Sequence, residues 1–169
     1  MIITPIGTSC QAITDNNPDK YPLILGGTNF PNYAFTMLEW YEHGCDGDAI
    51  LHALTRAVQQ CDPQCRDIMG DISAQMIKEG ISDSSKFLKL AVENVRETDG
   101  KINHVSIMIK GGRPRFNPML SKMRQNIATL VGIPVAHVTI LATTSDSLDS
   151  YGQGKGISAT AIVTAEVSF

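Results

Sequence analysis

The sequence predicts one α+β domain, and three observations point to this class. The chain has 169 residues, which is the usual size of one domain. Apolar side chains recur every three or four residues in some segments and alternate strictly in others, as in helices and strands. In the second half a strand (103–110), a helix (118–131) and a strand (135–142) follow one another. They form a βαβ unit, which is right-handed if the strands are parallel. We therefore expect a single domain over residues 1–169.

Strands are predicted in five segments, by alternation or by short apolar runs next to turn residues. They are Met1–Ile6, Pro22–Leu25, Asn103–Lys110, Val135–Ala142 and Ile157–Val167. Alternation is clearest in the third, where Val105, Ile107 and Ile109 share one face. In the fifth, small or aliphatic residues share one face: Ala159, Ala161, Val163, Ala165 and Val167.

Helices are predicted in three segments with apolar residues at helical spacing: Asp48–Gln60, Asp83–Arg96 and Pro118–Val131. Asp46 and Asp48 stand where carboxylates satisfy the free backbone N–H groups of a helix start. Gly132 is a stop signal for the third helix. Thr14–Lys20 is predicted as a loop because of its Asn, Asp and Pro content. Two segments remain ambiguous: Thr28–Trp40 and Cys61–Ile81.

Composition excludes several classes of function. The net charge of −3 argues against a nucleic-acid-binding protein, which usually carries a basic patch. No apolar run approaches the roughly 18 residues of a membrane helix, and no signal peptide is recognisable at the start. Four cysteines in a chain of this length do not suggest a disulfide framework. We therefore expect a cytoplasmic protein that binds neither nucleic acid nor membrane.

A first motif joins an Asp-Gly turn to a helix in residues 43–55. Asp48 and His52 are four residues apart, so they share one helix face. Carboxylates and a histidine at a helix start suit a metal ion or a phosphate ester. The alternative is that Asp46 and Asp48 only cap the helix and His52 only packs.

A second motif, Gly111–Pro118, lies between a predicted strand and a predicted helix. Two adjacent glycines allow the backbone to approach a ligand closely. Arg113 and Arg115 offer guanidinium groups that bind phosphate through two hydrogen bonds. The alternative is a solvated loop.

A third motif places hydroxyl groups at a strand end, in Ala142–Asp146, and is followed by Tyr151–Gly156. Such hydroxyls can bind a phosphate or the edge of a base. The Gly-x-Gly-x-Gly pattern is weak as a phosphate loop because a strand follows it rather than a helix. The alternative is a flexible hairpin connection.

Together, these motifs resemble the 2-C-methyl-D-erythritol 2,4-cyclodiphosphate synthase family in order and spacing. They are Asp46-Gly-Asp48-x-x-x-His52-Ala-Leu-Thr, Pro114-Arg115-Phe116-x-Pro, Ala142-Thr143-Thr144-x-Asp146-x-Leu and Gly152-x-Gly154-x-Gly-Ile. The resemblance covers nearly the whole chain and is weakest before Pro22. It implies a homotrimer of ferredoxin-like β-α-β subunits, each with a mixed sheet and helices on one face. The sites would lie between neighbouring subunits.

The implied reaction is an intramolecular phosphoryl transfer in the non-mevalonate isoprenoid route. A CDP-linked methylerythritol 2-phosphate is cyclised and CMP is released, which makes the enzyme a phosphorus–oxygen lyase. The resemblance implies catalytic roles for Asp46, Thr143 and Thr144. It implies a substrate-binding set: Asp46, Asp48, Asp67, Gly112, Arg115, Phe116, Ala142, Thr143 and Thr144. His52 matches a zinc ligand, and Asp146 matches a carboxylate that holds a second divalent ion, Mg²⁺ or Mn²⁺.

The zinc site departs from the family pattern. The family opens with Ile-Gly-His-Gly-Phe-Asp-x-His, whereas residues 6–13 here are Ile-Gly-Thr-Ser-Cys-Gln-Ala-Ile. Two of three zinc ligands are therefore missing, and zinc at His52 is doubtful because catalytic zinc normally has three protein ligands. One hypothesis is a replacement site formed by Cys10, Cys45 and His52, all suitable soft ligands. The alternative is that the cysteines are small hydrophobic residues.

Two interpretations follow. The first is a working enzyme of the cyclodiphosphate synthase type with altered use of metal ions. The second is a non-catalytic homotrimer that keeps the fold and a pocket for a cytidine nucleotide or a related diphosphate, acting in binding or assembly. The first is supported by the residues that match the family motifs: Asp46, Asp48, His52, Thr143, Thr144 and Asp146. The second is supported by the missing Asp-x-His and the changed residues on the phosphate side.

Overall fold

The computed structural model describes residues 1–12, 48–81, 83–113 and 115–169. Five strands in these ranges form one mixed sheet: β1 (Ile2–Ile3), β2 (Ile6–Ala12), β3 (Lys101–Lys110), β4 (Val138–Thr143) and β5 (Gly156–Glu166). Four α-helices lie in the same ranges: α1 (Asp48–Gln59), α2 (Ser73–Lys78), α3 (Ser84–Glu97) and α4 (Leu120–Val131). The predicted loop at 14–20, the predicted strand at 22–25 and the ambiguous segment 28–40 lie outside the described residues.

The sheet has the order β1-β5-β3-β4, and β2 also pairs with β5. β3 and β4 are parallel and are joined through α4, so the predicted βαβ unit is confirmed. Their register pairs Val105 with Val138 and Lys110 with Thr143. Because both strands end at this last pair, the loops that follow them leave the sheet at the same edge.

The core lies between the sheet and a layer of helices on one face, as predicted. The aliphatic face of β3 is at most 1% exposed at Val105, Ile107 and Ile109. Helix α1 packs on β2 and β5, α4 packs on β4, and α3 packs on both helices. Burying these apolar faces supplies the main stabilisation of the fold, at about 25 cal/mol for each Å² removed from water. The result is an α+β sandwich in which none of the described helices covers the other face of the sheet, which we call the helix-free sheet face.

Helix α1 lies close against β2 at Gly7. A Cβ atom there would overlap the carbonyl oxygen of Ala53, so only glycine allows this approach. The Arg56 guanidinium also donates to the Thr8 carbonyl at 2.9 Å. These contacts fix the opening of β2 on the helix that carries His52.

The prediction of one strand over Met1–Ile6 is wrong in its extent. The structure has two strands there, separated at Thr4 and Pro5. Proline has no backbone N–H to donate to a strand ladder, so the pairing with β5 is interrupted. It resumes at Ile6 and continues to Ala12.

The boundaries of the βαβ unit also differ from the prediction. Residues 117–119 form a short 3₁₀ turn before α4, which then ends at Gly132 with the positive φ of 75° expected for a stop signal. Val135–His137 form another 3₁₀ turn, so β4 begins at Val138 and not at Val135. Pro134 initiates this turn and delays the strand.

The ambiguous segment 61–81 contains a turn of π-helix at Ile68–Ile72 that continues into α2. Before it, the buried Asp62 carboxylate accepts from the Arg66 guanidinium at 2.7 Å. Burial alone would raise the pKa of Asp62, but hydrogen bonds from Arg66 and from the Gln64 backbone lower it overall. The ion pair holds the connection between α1 and α3 in place.

None of the helices in the described ranges is long and apolar enough to cross a membrane. The cytoplasmic location expected from the sequence stays a prediction.

Candidate functional site

The loops that follow β3 and β4 are bonded to each other at the edge of the sheet. The Gly111 N–H donates to the Thr143 carbonyl at 3.0 Å, which extends the parallel ladder by one step. The Gly112 N–H donates to the Tyr151 carbonyl at 2.7 Å. The Gly-Gly motif and the hydroxyl motif, predicted separately, therefore form one structure.

Two further contacts bring the loops close. The Arg113 Nε donates to the Gly154 carbonyl at 2.6 Å, so this arginine fastens the loops together. A Cβ atom at Gly112 would overlap the carbonyl oxygen of Gly152. Such close approach explains why glycine is needed at position 112.

The two loops enclose a cavity of about 430 Å³, which we call the loop cavity. Seven of the predicted site residues line it: Gly112, Arg115, Phe116, Ala142, Thr143, Thr144 and Asp146. Phe116 is buried and gives the cavity an apolar wall, whereas Arg115, Thr143, Thr144 and Asp146 are exposed. The cavity thus combines a flat aromatic side chain with a cation, two hydroxyls and a carboxylate.

The polar end of the loop cavity lies on a tight turn. Asp146 and Ser147 have positive φ angles of 50° and 69°, a conformation that costs a non-glycine residue about 1 kcal/mol. The Thr144 hydroxyl oxygen accepts from the Asp146 N–H at 3.3 Å. Its own proton therefore points elsewhere and can be donated to a ligand.

Asp149, which does not line the loop cavity, holds this turn through hydrogen bonds. Its carboxylate accepts from the Lys110 ammonium at 2.5 Å and from the Gly152 N–H at 2.9 Å, and also from the Ser145 hydroxyl. The Lys110 Nζ lies 5.7 Å from the centre of the Tyr151 ring. The hydrogen bond from Lys110, followed by those from Ser145 and Gly152, holds the pKa of Asp149 well below its usual range.

His52 lies away from these contacts, on α1. Its Nε2 is 3.0 Å from the Ser84 hydroxyl, and its ring lies 6.3 Å from the Phe87 ring. Both partners belong to α3, and both are buried. These contacts are those of a packed, hydrogen-bonded histidine. We refer to His52, Ser84 and Phe87 as the histidine side.

Asp67 lies in a second, more open pocket of about 460 Å³. Its Oδ1 accepts from the Gln59 amide at 3.2 Å. The pocket is also lined by Thr8 and Arg56, at the opening of β2 and on α1. The structure therefore places Asp67 in a different pocket from the predicted substrate-binding residues that line the loop cavity.

The remaining predicted residues lie at or beyond the edge of the described ranges. Asp46 and Cys45 lie outside them, and Asp48 is the first residue of α1. Cys10 is exposed on β2, and its hydrogen bond with the Tyr151 hydroxyl is the main cause that raises the pKa of Tyr151. The hypothesis of a zinc site formed by Cys10, Cys45 and His52 is therefore not tested.

The donor sets differ in how well they suit a metal ion. In the part of the chain that the structure describes, no three His, Cys, Asp or Glu side chains come together as a metal site. His52 alone does not supply the three protein ligands that catalytic zinc normally has. Asp146 suits Mg²⁺ better, because that ion is often held by one or two carboxylates and the phosphates of a substrate.

Residues 5–166 of the chain match the YgbB family. The chain belongs to this family. Within the family, it is 36% identical over 157 residues to the 2-C-methyl-D-erythritol 2,4-cyclodiphosphate synthase of Chlamydia muridarum, covering 92% of this chain and 83% of that protein. The synthase of Chlamydia abortus is 35% identical over 144 residues, which is 85% of this chain and 77% of that one. The resemblance to cyclodiphosphate synthases is confirmed.

Solved structures of the YgbB-type fold agree with the architecture described above. A 2-C-methyl-D-erythritol 2,4-cyclodiphosphate synthase in a form bound to CDP matches with a TM-score of 0.71 at 21% identity, over 97% of this chain and 100% of that one. The bifunctional IspDF of Campylobacter jejuni matches with a TM-score of 0.75 at 22% identity. The match covers 99% of this chain and 43% of the bifunctional protein. At these identities the likeness shows the fold.

The sequence did not point to Lys110 and Asp149 as site residues. They are 39 positions apart, and only the sheet register brings them together. The available signal was the position of Lys110 directly before Gly111-Gly112, at the end of a clearly alternating strand.

Proposed function

We propose that the chain is an enzyme of the cyclodiphosphate synthase type, a phosphorus–oxygen lyase of isoprenoid precursor synthesis. It binds a CDP-linked methylerythritol 2-phosphate. An oxygen of the 2-phosphate attacks the β-phosphorus of the diphosphate, the bond between that phosphorus and the oxygen it shares with the α-phosphate breaks, and CMP leaves. The observation that carries this proposal is the loop cavity, which assembles predicted nucleotide and phosphate contacts from two separate motifs. The synthases named among its relatives support the reaction.

The loop cavity suits a cytidine diphosphate because its lining offers hydrogen-bond donors to phosphate oxygens. The Arg115 guanidinium and the Thr143 and Thr144 hydroxyls are donors for phosphate oxygens. A solved structure with this fold is a form bound to CDP. Intramolecular phosphoryl transfer needs mainly such positioning, together with neutralisation of charge on the phosphate oxygens.

Asp146 requires a cation if phosphates bind beside it, since two anions would otherwise repel each other. We infer that its carboxylate holds Mg²⁺ or Mn²⁺ together with the substrate phosphates. Such an ion would neutralise charge that develops on those oxygens. Zinc at His52 is not needed for this end of the site, so we propose altered use of metal ions. Asp46 would act in catalysis, and with Asp48 and Asp67 it would bind the remainder of the substrate.

A homotrimer is proposed on the basis of the helix-free sheet face. Ile6 and Ile162 are cross-strand neighbours there, as are Met108 and Leu141, and all four are 40–55% exposed. A contiguous apolar patch of this kind favours self-association. Light scattering should give about three times the chain mass of 18.3 kDa, and Ile162→Glu should give a monomer. A monomeric wild type would contradict the proposal.

The activity is tested by incubating the protein with the CDP-linked substrate and Mg²⁺ or Mn²⁺, with and without Zn²⁺, and measuring CMP. We expect CMP to appear with Mg²⁺ or Mn²⁺ alone. If no metal ion gives CMP, the standard activity is rejected.

The second candidate is a non-catalytic homotrimer that binds cytidine nucleotides or assists assembly. It is favoured by Gln11 and Ile13, which stand in the sequence where the family has the Asp and His of its metal motif. A thermal-shift series with CMP, CDP and CTP separates the candidates when CMP is not formed. Stabilisation by a nucleotide would then support a binding protein, and no stabilisation would indicate a scaffold.

A further inference from the structure

Asp149 does not line the loop cavity, yet its carboxylate collects donors from three segments that do. Lys110 is the last residue of β3, Ser145 lies between Thr144 and Asp146, and Gly152 is itself part of the cavity wall. One side chain thus joins three segments. They are the end of β3, the turn at residues 144–147, which we call the threonine turn, and residues 151–156, which we call the glycine-rich connection. A side chain with this arrangement can set how far apart those segments lie.

The hydrogen bond to Ser145 acts on the polar end of the cavity. Ser145 directly follows Thr144 and directly precedes Asp146, so its position fixes the backbone from which both side chains project. That turn contains two non-glycine residues with positive φ, which need external contacts to hold them. Asp149 supplies such a contact through the Ser145 hydroxyl.

The contacts to Lys110 and Gly152 act on the opposite wall. Lys110 precedes Gly111 and Gly112 and lies beside Thr143 in the sheet register. Gly152 is in close contact with Gly112. Shifting Asp149 would therefore move the glycine-rich connection relative to the loop that carries Arg115 and Phe116.

The Lys110–Asp149 ion pair is partly open to water, because the two side chains are 38% and 37% exposed. Ion pairs of this kind contribute little to global stability. Loss of the ion pair is therefore expected to change the geometry of the loop cavity much more than the free energy of unfolding of the domain.

We propose that Asp149 and Lys110 are positioning residues, which hold the threonine turn and the glycine-rich connection at the separation that a cytidine diphosphate requires. This inference rests on the proposed function for its ligand. Its structural part, the holding of residues 144–154, stands independently of any ligand. The low pKa of Asp149 agrees with a carboxylate that stays charged at neutral pH.

The test compares Asp149→Asn, Lys110→Met and the conservative Lys110→Arg with wild type. Glu97→Gln is the matched control, because it breaks the Arg66–Glu97 ion pair, 2.9 Å long and partly exposed, at the far end of α3. Amide hydrogen exchange of residues 144–154 is measured without ligand, and the dissociation constant of CDP is measured by calorimetry with Mg²⁺.

For Asp149→Asn and Lys110→Met, we expect exchange in residues 144–154 to be about tenfold faster and CDP to bind about tenfold more weakly. Lys110→Arg should restore both values to within about threefold of wild type, because it keeps the charge. Glu97→Gln should change neither. Should Asp149→Asn fail to fold, Ser145→Ala removes one donor from the same carboxylate. It should also speed exchange in residues 144–154 and weaken CDP binding, each by a smaller factor.

The outcomes separate the two proposals. Wild-type exchange rates in both Asp149→Asn and Lys110→Met would overturn the positioning role, whatever CDP does. Faster exchange with unchanged CDP affinity would also overturn it, since the contacts would then be only structural. If wild type itself does not bind CDP, the proposed function fails, and the exchange rates alone decide whether the ion pair holds the loop.

Discussion

The loop cavity and the histidine side differ in what their polar groups contact. In the loop cavity, Thr144 and Asp146 project from a turn that is held from behind by Asp149, so their own polar atoms face the cavity. On the histidine side, the ring nitrogen of His52 already lies 3.0 Å from the Ser84 hydroxyl. The first region offers exposed polar groups around a cavity, and in the second His52 packs against buried residues.

If the proposed altered use of metal ions is correct, this difference shows which region of the chain departs from the synthases it resembles. The loop cavity depends on the register of β3 and β4, which is fixed by the buried face of the sheet. The family's zinc motif, by contrast, corresponds in the sequence to only a few side chains, at residues 11–13. Substitutions at residues 11–13 could therefore remove metal ligands and leave the loop cavity intact.

Replacing Asp146 with Asn should have the largest effect on the loop cavity. If its carboxylate holds the divalent ion, CMP release should fall about a hundredfold, the size expected for losing one electrostatic contact in the transition state. Steady-state assays at saturating Mg²⁺ measure this. Asp71→Asn, an exposed aspartate on another surface, is the control. Unchanged activity would place the reacting end outside the loop cavity.

Adjacent glycines offer a sharper test of the same region. Gly112→Ala should weaken CDP binding by about thirtyfold, because its Cβ would overlap the Gly152 carbonyl and force the loops apart. Gly111→Ala is the matched control, since its Cβ would meet neighbouring atoms only at an ordinary 3.5 Å. Calorimetry with CDP measures both. Equal effects of the two substitutions would mean that the loop contact does not shape the cavity.

Much of the fold could be predicted because its signals are local. Alternation in β3 and β5 shows which face is buried, and Gly132 ends α4 as expected. The starts of β2 and β4 were predicted less well, since Pro5 and Pro134 act on backbone hydrogen bonds that an apolar pattern does not report.

The site was predictable only in part, for a different reason. Thr143 and Thr144 belong to a contiguous motif, so the sequence alone identifies them. Lys110 and Asp149 meet only through strand pairing, and the separation of Asp67 from the loop cavity follows from the packing of 61–81. No residue spacing encodes these distances.

A substitution at Asp62, in the connection between α1 and α3, tests stability separately from function. Asp62→Asn should lower the free energy of unfolding by about 1–3 kcal/mol at pH 7, because it weakens a buried hydrogen-bonded ion pair. The folded-state pKa of Asp62 is depressed, so its contribution is present above the unfolded value of about 4 and is lost as pH falls below it. Urea unfolding at pH 7 and pH 3 measures this.

The variant and wild type should then differ less at pH 3 than at pH 7. A constant difference would show that the charge of Asp62 is not what stabilises the connection. Glu97→Gln removes only the exposed partner of Arg66 and should cost less than about 1 kcal/mol at either pH.

His52→Gln should have the smallest effect on CMP release. It also tests most directly the comparison between the loop cavity and the histidine side. If the contacts of His52, including the one with Ser84, are purely structural, glutamine can keep a hydrogen bond, and the free energy of unfolding should fall by about 1 kcal/mol. CMP release with Mg²⁺ should change by less than about threefold, since a contact absent from the reaction leaves its barrier unaltered.

Ser84→Ala provides the matched control, because it removes the same hydrogen bond from the other side. Equal, small losses of stability in the two variants, with activity kept, would support a purely structural histidine side. If His52→Gln abolishes CMP release while Ser84→Ala does not, the imidazole itself takes part in the reaction. The histidine side would then be part of the reacting site, and the contrast between the two regions would no longer hold.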